Sequence, residues 1–309
     1  MQTILGANGT IANYLVRSLP TYTADPIRLV SRNPKPLGNH TQVLAADLLN
    51  ATQTRNAVAG SDVVYLTAGL PYRTEIWRTQ WPVLMNNVIE ACKQHGAKLV
   101  FFSNVYPYGR VKGWMTEDTP FNPVSKKGEA RAQIEQTLLN EVKQGNLEAM
   151  IVRGADFYGP ETPLSFLNVM LFDNYARNKS AQWLVSDETR HSFTYTPDAG
   201  KAMAILGNTP KAFNQVWHAP TDRNVLTGKE FAALTAREFG VKPNYLVLKK
   251  WMVSLGGLMD GNIREAVEML YQNDSDYLFD SSKFENAFNF TPTPYDIGIA
   301  KTASATARP

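Results

Sequence analysis

Gly6, Asn8, Gly9 and Ala12 stand at a spacing that clears a path for a diphosphate. Gly6 lets the backbone turn hard, Gly9 removes a side chain where the diphosphate approaches, and small Ala12 lets a helix pack closely on a strand. The helix that opens at Thr10 and Ile11 then offers free N–H groups to an anion. Such residues need an apolar strand before them and a helix behind them. Residues 3–5 form the apolar run, and Ile11, Tyr14, Leu15 and Leu19 recur at the spacing of one helix face. An ordinary strand-to-helix turn would look similar. The βαβ unit that follows, with Pro20 stopping the helix and residues 27–31 as the second strand, favours dinucleotide binding.

The elements that must hold these residues follow in order. Residues 27–31, 43–45, 63–67 and 99–103 are short apolar, β-branched or aromatic runs, each followed by a polar or helical segment. That alternation predicts an α/β fold, a Rossmann-type doubly wound parallel sheet. Ligands of such sheets bind at the carboxyl ends of the strands, so the residues just after each run are the candidates. After the second strand come Ser31, Arg32 and Lys35 in place of the carboxylate that an NAD site places on the ribose 2′-hydroxyl. A guanidinium there attracts a 2′-phosphate, so NADP is expected over NAD, with a solvated loop arginine as the alternative. Asp47 and Leu48 follow the third strand, where the acid would accept from the adenine amine and the leucine would cover the ring. A helix-capping role for Asp47 is equally simple. Ala68 and Gly69 follow the fourth strand, and their small size lets the cofactor backbone pass close by.

The fifth strand opens into Ser103-Asn104-Val105-Tyr106-Pro107-Tyr108-Gly109, then Thr116-Glu117-Asp118-Thr119-Pro120 and a stretch from Asn122 to Arg131 that includes Pro123, Ser125, Lys127 and Gly128. With these residues the chain resembles an extended short-chain dehydrogenase/reductase of the NAD-dependent epimerase/dehydratase family. Arg153 to Pro160 and Phe193 to Asp198 are similar to later landmarks of that family, and residues 280–295 resemble it more weakly. The resemblance implies a tyrosine and a lysine four residues apart on one helix face, the tyrosine shuttling a proton and the lysine holding the nicotinamide ribose. Aligned on the Pro-x-Ser-x-x-Gly approach, those two positions fall on Lys127 and Arg131, and the serine that polarises the carbonyl falls on Asn104, one residue after Ser103. The usual proton shuttle is therefore missing.

Two readings follow. In one, an atypical enzyme survives: Arg131 binds ribose hydroxyls, Asn104 donates to a carbonyl oxygen, and Lys127 acts as acid and base, with the positive charges of Arg131 and an oxidised nicotinamide favouring its neutral form. Tyr106 or Tyr108, on the same loop, would alternatively supply the phenol. In the other, catalysis is lost and the chain binds NADP(H) as a sensor or scaffold, resembling NmrA-like regulators, with Lys127 and Arg131 as the exposed charged edge of a helix whose apolar face includes Ile134 and Leu138.

On the substrate side, the resemblance places Asp156 where the family has a substrate-contacting asparagine. A carboxylate repels a diphosphate, so a small carbonyl or hydroxyl substrate, or one with a cationic group, is expected over a nucleotide sugar. Pairing of Asp156 with Arg153 is the structural alternative, disfavoured because residues three apart on a strand point to opposite faces. Tyr72, Arg190, His191 and Tyr195 are further pocket candidates by their loops, with a packed or hydrogen-bonded His191 as the simpler role. Asp198 reads as an N-cap, and Trp77, Trp81 and Trp183 read as core.

Past residue 161 the alternation loosens. Residues 163–179 and 228–240 read as helices, 241–250 and 277–279 as strands, 254–260 with Gly256, Gly257 and Gly261 as a flexible loop, and 302–309 as a frayed end. The expected organisation is a nucleotide-binding domain of residues 1–160 plus 183–219 and a small C-terminal α+β substrate lobe of residues 161–182 plus 220–309. A homodimer through residues 82–94 and 129–144 is implied by the resemblance alone.

Bulk properties agree with a globular protein. The 309 residues are 44% hydrophobic, and a net charge of +3 is too small to point to nucleic acid. The first strand begins almost at Met1 and no apolar run reaches membrane-spanning length, so a cytoplasmic location without membrane partners is expected. Cys92 sits in a helical apolar pattern and reads as a buried, inert thiol. The four histidines show no metal-ligand grouping.

Overall fold

A computed structural model describes residues 1–38 and 41–306. The chain forms two compact units, the first from residues 1–107, 126–154 and 199–217, the second from residues 108–125, 155–198 and 218 onward.

In the first unit, strand β1 (Gln2–Leu5) runs through Gly6 to Gly9 into helix α1 (Thr10–Ser18). Ile11, Ala12, Leu15 and Val16 form the buried face of α1, and the chain leaves it through a 3₁₀ turn that holds Pro20. Then follow β2 (Ile27–Ser31), β3 (Thr41–Ala45), α2 (Ala51–Val58), β4 (Val63–Leu66), α3 (Thr74–His95), β5 (Lys98–Asn104), α4 (Lys126–Lys143), β6 (Ala149–Gly154) and β7 (Val216–His218). Among the described residues these strands make one sheet of order β7-β6-β5-β4-β1-β2-β3. The pairs from β3 through to β6 are parallel. Strands β1, β4 and β6 are buried along their whole length, which is why they read as continuous apolar runs without polar alternation. Strand order reverses beside β1, so the crevice at its carboxyl end is the binding position that a doubly wound sheet provides. The α/β, Rossmann-type expectation holds.

The core of this unit packs Trp81, Leu84, Val88 and Ile89 of α3 and Ile134 and Leu138 of α4 against Leu99, Phe101 and Ile151 of the sheet. Each such side chain contributes about 1.5–3 kcal/mol of transfer free energy. Cys92 lies in the same cluster, and burial pushes its thiol up to about 12, so it is the inert thiol expected.

The second unit has its own aromatic core, in which Tyr158, Phe172, Trp183, Phe193, Phe231 and Tyr295 meet. The helix expected at 228–240 is present as Gly228–Phe239, closed by a capping box at Thr227 and by left-handed Gly240. Strands Tyr245–Leu248 and Leu278–Phe279 are present as well. The helix expected over 163–179 shrinks to a π-helical turn at Asn168–Phe172 and a single α turn at Asp173–Ala176.

Two expectations are corrected. Residues 254–260 are not a loop but most of a helix, Lys250–Met259. Its glycines serve packing: a Cβ on Gly257 would lie 3.0 Å from the Arg264 backbone, in the helix Gly261–Val267 that packs beside it. The end is not frayed from residue 302, because helix Tyr295–Ala305 buries Thr302 and Ala303. Residues 307–309 and His40 lie outside the described residues.

Candidate functional site

Gly6 has φ of +103°, and a Cβ there would sit 2.4 Å from both Cα and N of Ala68. Only glycine fits between β1 and the end of β4, so the turn and the small residue at 68 specify each other. Asn8 is also left-handed, with φ of 71°. Its side chain donates to the Asn33 carbonyl at 3.0 Å and accepts from the Lys35 amide at 3.2 Å. That clasp ties the glycine turn to the loop carrying Arg32, which is exposed. Gly9 is the N-cap of α1 in extended conformation, without a side-chain cap, and the first turn holds no acidic residue. An α-helix leaves its first amides without intrahelical acceptors, so the cradle at Thr10 and Ile11 is electropositive and unobstructed. Ile11 itself turns into the core. The steric gap that a Cβ would fill, and the absence of a competing carboxylate in the first turn, fit a dinucleotide diphosphate.

The remaining cofactor candidates divide. Asp47 is half-buried and accepts from the Leu49 amide at 3.0 Å, while the cap of α2 is Asn50, which accepts from Gln53. The alternative of Asp47 as the helix cap is therefore corrected by three residues. Leu48 packs in the core. Gly69 is exposed, and a Cβ there would meet nothing within 4 Å. Ser103 is buried and its hydroxyl donates to Glu135 Oε1 at 2.5 Å.

Lys127 and Arg131 are not an exposed edge: they are 0% and 5% exposed. Lys127 Nζ donates to Thr74 Oγ1 at 3.0 Å and lies 4.7 Å from the centre of the Tyr72 ring. The Arg131 guanidinium faces Trp81 at 4.2 Å, Trp77 at 4.8 Å and Phe101 at 5.6 Å, and its Nε is buried without a hydrogen-bond partner. Ring faces are negative, so each attracts a cation by about 0.5–2 kcal/mol. Burial pulls the Arg131 pKa down to about 10, against the opposing charges of Glu135 and Tyr106. Three of the catalytic candidates, with Tyr72, thus gather on one wall. Tyr106 is stacked on Trp77 at 6.0 Å, and its hydroxyl is 3.3 Å from that of Tyr72. Asn104 turns its carbonyl onto the Tyr106 amide at 3.1 Å, which leaves its amide N–H groups as the donor it presents. Tyr108, the other phenol considered, is buried and its hydroxyl lies 2.8 Å from His218 Nε2.

Composition and spacing miss the anchor of this wall. Glu135, one turn beyond Arg131, is fully buried and pairs with Arg153 of β6, whose Nε donates at 3.0 Å. The available signal was an acid at the i+4 position from Arg131 on a face that otherwise packs inward.

In the second unit, Asp156 pairs with His191 and not with Arg153: Oδ2 and Nε2 are 2.8 Å apart. The His191 ring is buried between Tyr277 at 4.2 Å and Phe193 at 4.5 Å. The Tyr277 side chain is buried, as is Gln272. Burial and then the Asp156 charge hold the Tyr277 phenol above its ordinary range, as a protonated donor. Tyr195 packs in the aromatic core, and Arg190 forks onto Asp276 at the surface. Asp198 lies inside helix Thr196–Gly207 and accepts from the amide and hydroxyl of Thr293, so it is not the N-cap. Trp77, Trp81 and Trp183 are buried as expected.

Comparison with known proteins identifies the family and the fold. The family model for the NAD dependent epimerase/dehydratase family matches residues 3–217. An uncharacterized UDP-glucose epimerase, YtcB of Bacillus subtilis, is 26% identical over 175 residues, 53% of this chain and 53% of that protein. The chain therefore matches about half the length of that relative. Among solved structures, the dTDP-glucose 4,6-dehydratase DesIV of Streptomyces venezuelae with NAD bound has a TM-score of 0.80 at 16% identity, covering 99% of this chain and 96% of that one. The UDP-glucose 4-epimerase of Thermus thermophilus in complex with NAD has a TM-score of 0.79 at 16% identity, covering 99% and 98%. At such identities these structures share the fold. Among the described residues no helix is long and apolar enough to cross a membrane.

Proposed function

The chain belongs to the NAD-dependent epimerase/dehydratase family, and from that premise we propose that it is an NADP-preferring oxidoreductase or epimerase acting on a small carbonyl or hydroxyl substrate with an atypical catalytic helix. The observation that carries the reading is the glycine turn at 6–9, sealed against Ala68 and clasped by Asn8 to the Arg32 loop. Bound there, the nicotinamide dinucleotide would accept or return a hydride. Gly9 and the amides at the start of α1 hold the diphosphate, and Arg32 holds the 2′-phosphate. Asp47, Leu48, Ala68, Gly69 and Ser103 belong to the same proposed set. Arg131 and Asn104 are proposed as donors to ribose and substrate oxygen. A substrate hydroxyl or cationic group, not a diphosphate, suits Asp156 and His191.

A second reading, a nucleotide-binding sensor without turnover, is favoured by one observation: Lys127 and Arg131 are sealed under aromatic rings. Calorimetry with NADP(H) and NAD(H), followed by a carbonyl and alcohol screen with product analysis, separates the two. Turnover on none of the substrates would favour the sensor, and absence of any nucleotide binding would end both.

Two expected results test the cofactor side. Gly9 has ordinary φ of −73° and a Cβ there would stand 3.3 Å from the Gly6 carbonyl oxygen, so Gly9→Val fills the diphosphate path at the cost of a small local adjustment of the turn. Nucleotide affinity should fall about 100-fold, roughly 2.7 kcal/mol, with the thermal midpoint moved by no more than ~2–4 °C. Arg32→Ser should weaken NADP(H) binding by about 10- to 100-fold, as loss of a charge-assisted hydrogen bond worth roughly 1.5–3 kcal/mol implies, and leave NAD(H) binding unchanged. Tighter NAD(H) than NADP(H) binding by the unaltered chain would defeat the role given to Arg32.

A further inference from the structure

Resting on the reading as a nicotinamide-linked enzyme, we propose that Tyr72 is the phenol that exchanges a proton with the substrate oxygen, with Lys127 beneath its ring and Tyr106 at its hydroxyl as positioning residues. The family position for the proton shuttle is occupied by Lys127, but that ammonium is wholly buried and engaged with Thr74. What stands above it is Tyr72, 39% exposed, whose ring centre is 4.7 Å from Nζ. The proton-carrying group has moved outward from the helix to the loop after β4, and the cation beside it has stayed.

The surroundings favour ionisation of this phenol. A phenolate ring is more negative than a phenol ring, so the attraction of Lys127 grows when the proton leaves. The Tyr106 hydroxyl, 3.3 Å away, donates to the phenolate oxygen. Its direction is set because the Tyr106 ring lies nearly flat on Trp77, at an interplanar angle of 24°, while Trp77 also meets the Tyr72 ring edge-on at 5.6 Å. Arg131, which interacts electrostatically with Tyr106, adds a second buried cation from α4. Arg73 is the charged neighbour in the chain. A cation this close to the ring favours the ionised form over the neutral one.

In the oxidative direction the Tyr72 phenolate takes the hydroxyl proton of a secondary alcohol, so that the substrate O–H breaks and the tyrosine O–H forms. A nicotinamide bound at the glycine turn would take the hydride of the carbinol carbon, leaving a carbonyl. In the reverse direction Tyr72 would return the proton to the oxygen as the carbonyl carbon regains its hydride.

The test is an ultraviolet tyrosinate titration of the full chain, read as the difference between the unaltered protein and Tyr72→Phe. The expected result is one phenol that ionises below the ordinary tyrosine range, moved up in Lys127→Met and in Tyr106→Phe, and moved further down when NADP⁺ saturates the protein. Turnover of any alcohol found in the screen should fall about 10²- to 10⁴-fold in Tyr72→Phe, with NADP⁺ affinity unchanged. A difference phenol at or above ~10, or one indifferent to Tyr106→Phe, overturns the assignment. Because Lys127 is buried and its replacement can unfold the chain, Tyr106→Phe carries the test alone where Lys127→Met is not native by circular dichroism. Calorimetry on the same samples separates the failures. Normal NADP⁺ binding with an ordinary phenol defeats Tyr72 only, whereas no binding defeats the function proposed above.

Discussion

Glu135→Ala should destabilise the protein by about 3–5 kcal/mol, a large share of the ~5–15 kcal/mol that holds a typical domain folded. Glu135 and Arg153 are 0% and 1% exposed, so neither charge is relieved by water. Glu135 accepts from Ser103 on one oxygen and from the Arg153 guanidinium on the other. Removing it takes from a buried guanidinium the carboxylate it donates to and from a serine hydroxyl its acceptor, and it also withdraws the charge that opposes loss of the Arg131 proton. Glu135→Gln keeps the volume but presents an amide N–H to donors, so it should fall between the two. Lys229→Ala is the control: its partner Glu188 is 75% exposed and the lysine 62%, and solvent screens such a pair so that its loss should barely move the midpoint. Urea unfolding of the three variants decides the matter. A Glu135→Ala cost no larger than that of the Lys229→Ala control would mean that α4 is not anchored to the sheet by this pair. The same experiment bears on function, because α4 places Lys127 and Arg131.

What the residues disclosed in advance, and what they did not, follows from range. The glycine turn, the strand ends and the stop at Pro20 depend on residues close in the chain, where backbone freedom and periodicity act directly. The strand expected at 27–31 is Ile27–Ser31, and the apolar runs at 63–67 and 99–103 are β4 and β5. Lys127 and Arg131 were open to misreading because their partners are remote: Tyr72, Thr74, Trp77 and Trp81 lie more than forty residues away. A cation with no acid nearby in sequence looks solvated, and an aromatic face that neutralises it leaves no charge pattern. Asp156 found His191 for the same reason, across 35 residues of chain. The glycines at 256 and 257 failed in another way. Glycine in a helix costs about 1 kcal/mol against alanine, which favours a loop, but at Gly257 close packing against the Arg264 backbone offsets that cost. Asp198 looked like a cap because an acid at a helix start usually is one. Here it lies within the first turn and serves Thr293 instead.

Gly6→Ala should cost about 2–5 kcal/mol of stability, from two separable sources. One is conformational: φ of +103° is a region that an alanine enters only with strain of roughly 1–2 kcal/mol. The other is steric. The new methyl would overlap Ala68 Cα and N at 2.4 Å, and these are backbone atoms of the chain just leaving β4, which cannot rotate aside as the tip of a side chain can. Overpacking of that kind adds roughly 1–3 kcal/mol. Relief by moving Gly6 is blocked, since its amide and that of Ala7 both donate to the Val30 carbonyl, at 2.9 and 3.0 Å, so a shift would break the junction of β1 with β2. Gly60 separates the two sources: its φ is +71°, yet a Cβ there would meet nothing within 4 Å. Gly60→Ala should therefore show the conformational cost alone, and the difference between the two midpoints in urea measures the crowding at the turn. Equal midpoints would mean that the turn is not sterically sealed, and the nucleotide path would then owe its shape to Gly9 and Asn8. A larger loss at Gly6, with Gly9→Val native in stability but poor in nucleotide binding, would assign the first glycine to the fold and the second to the ligand.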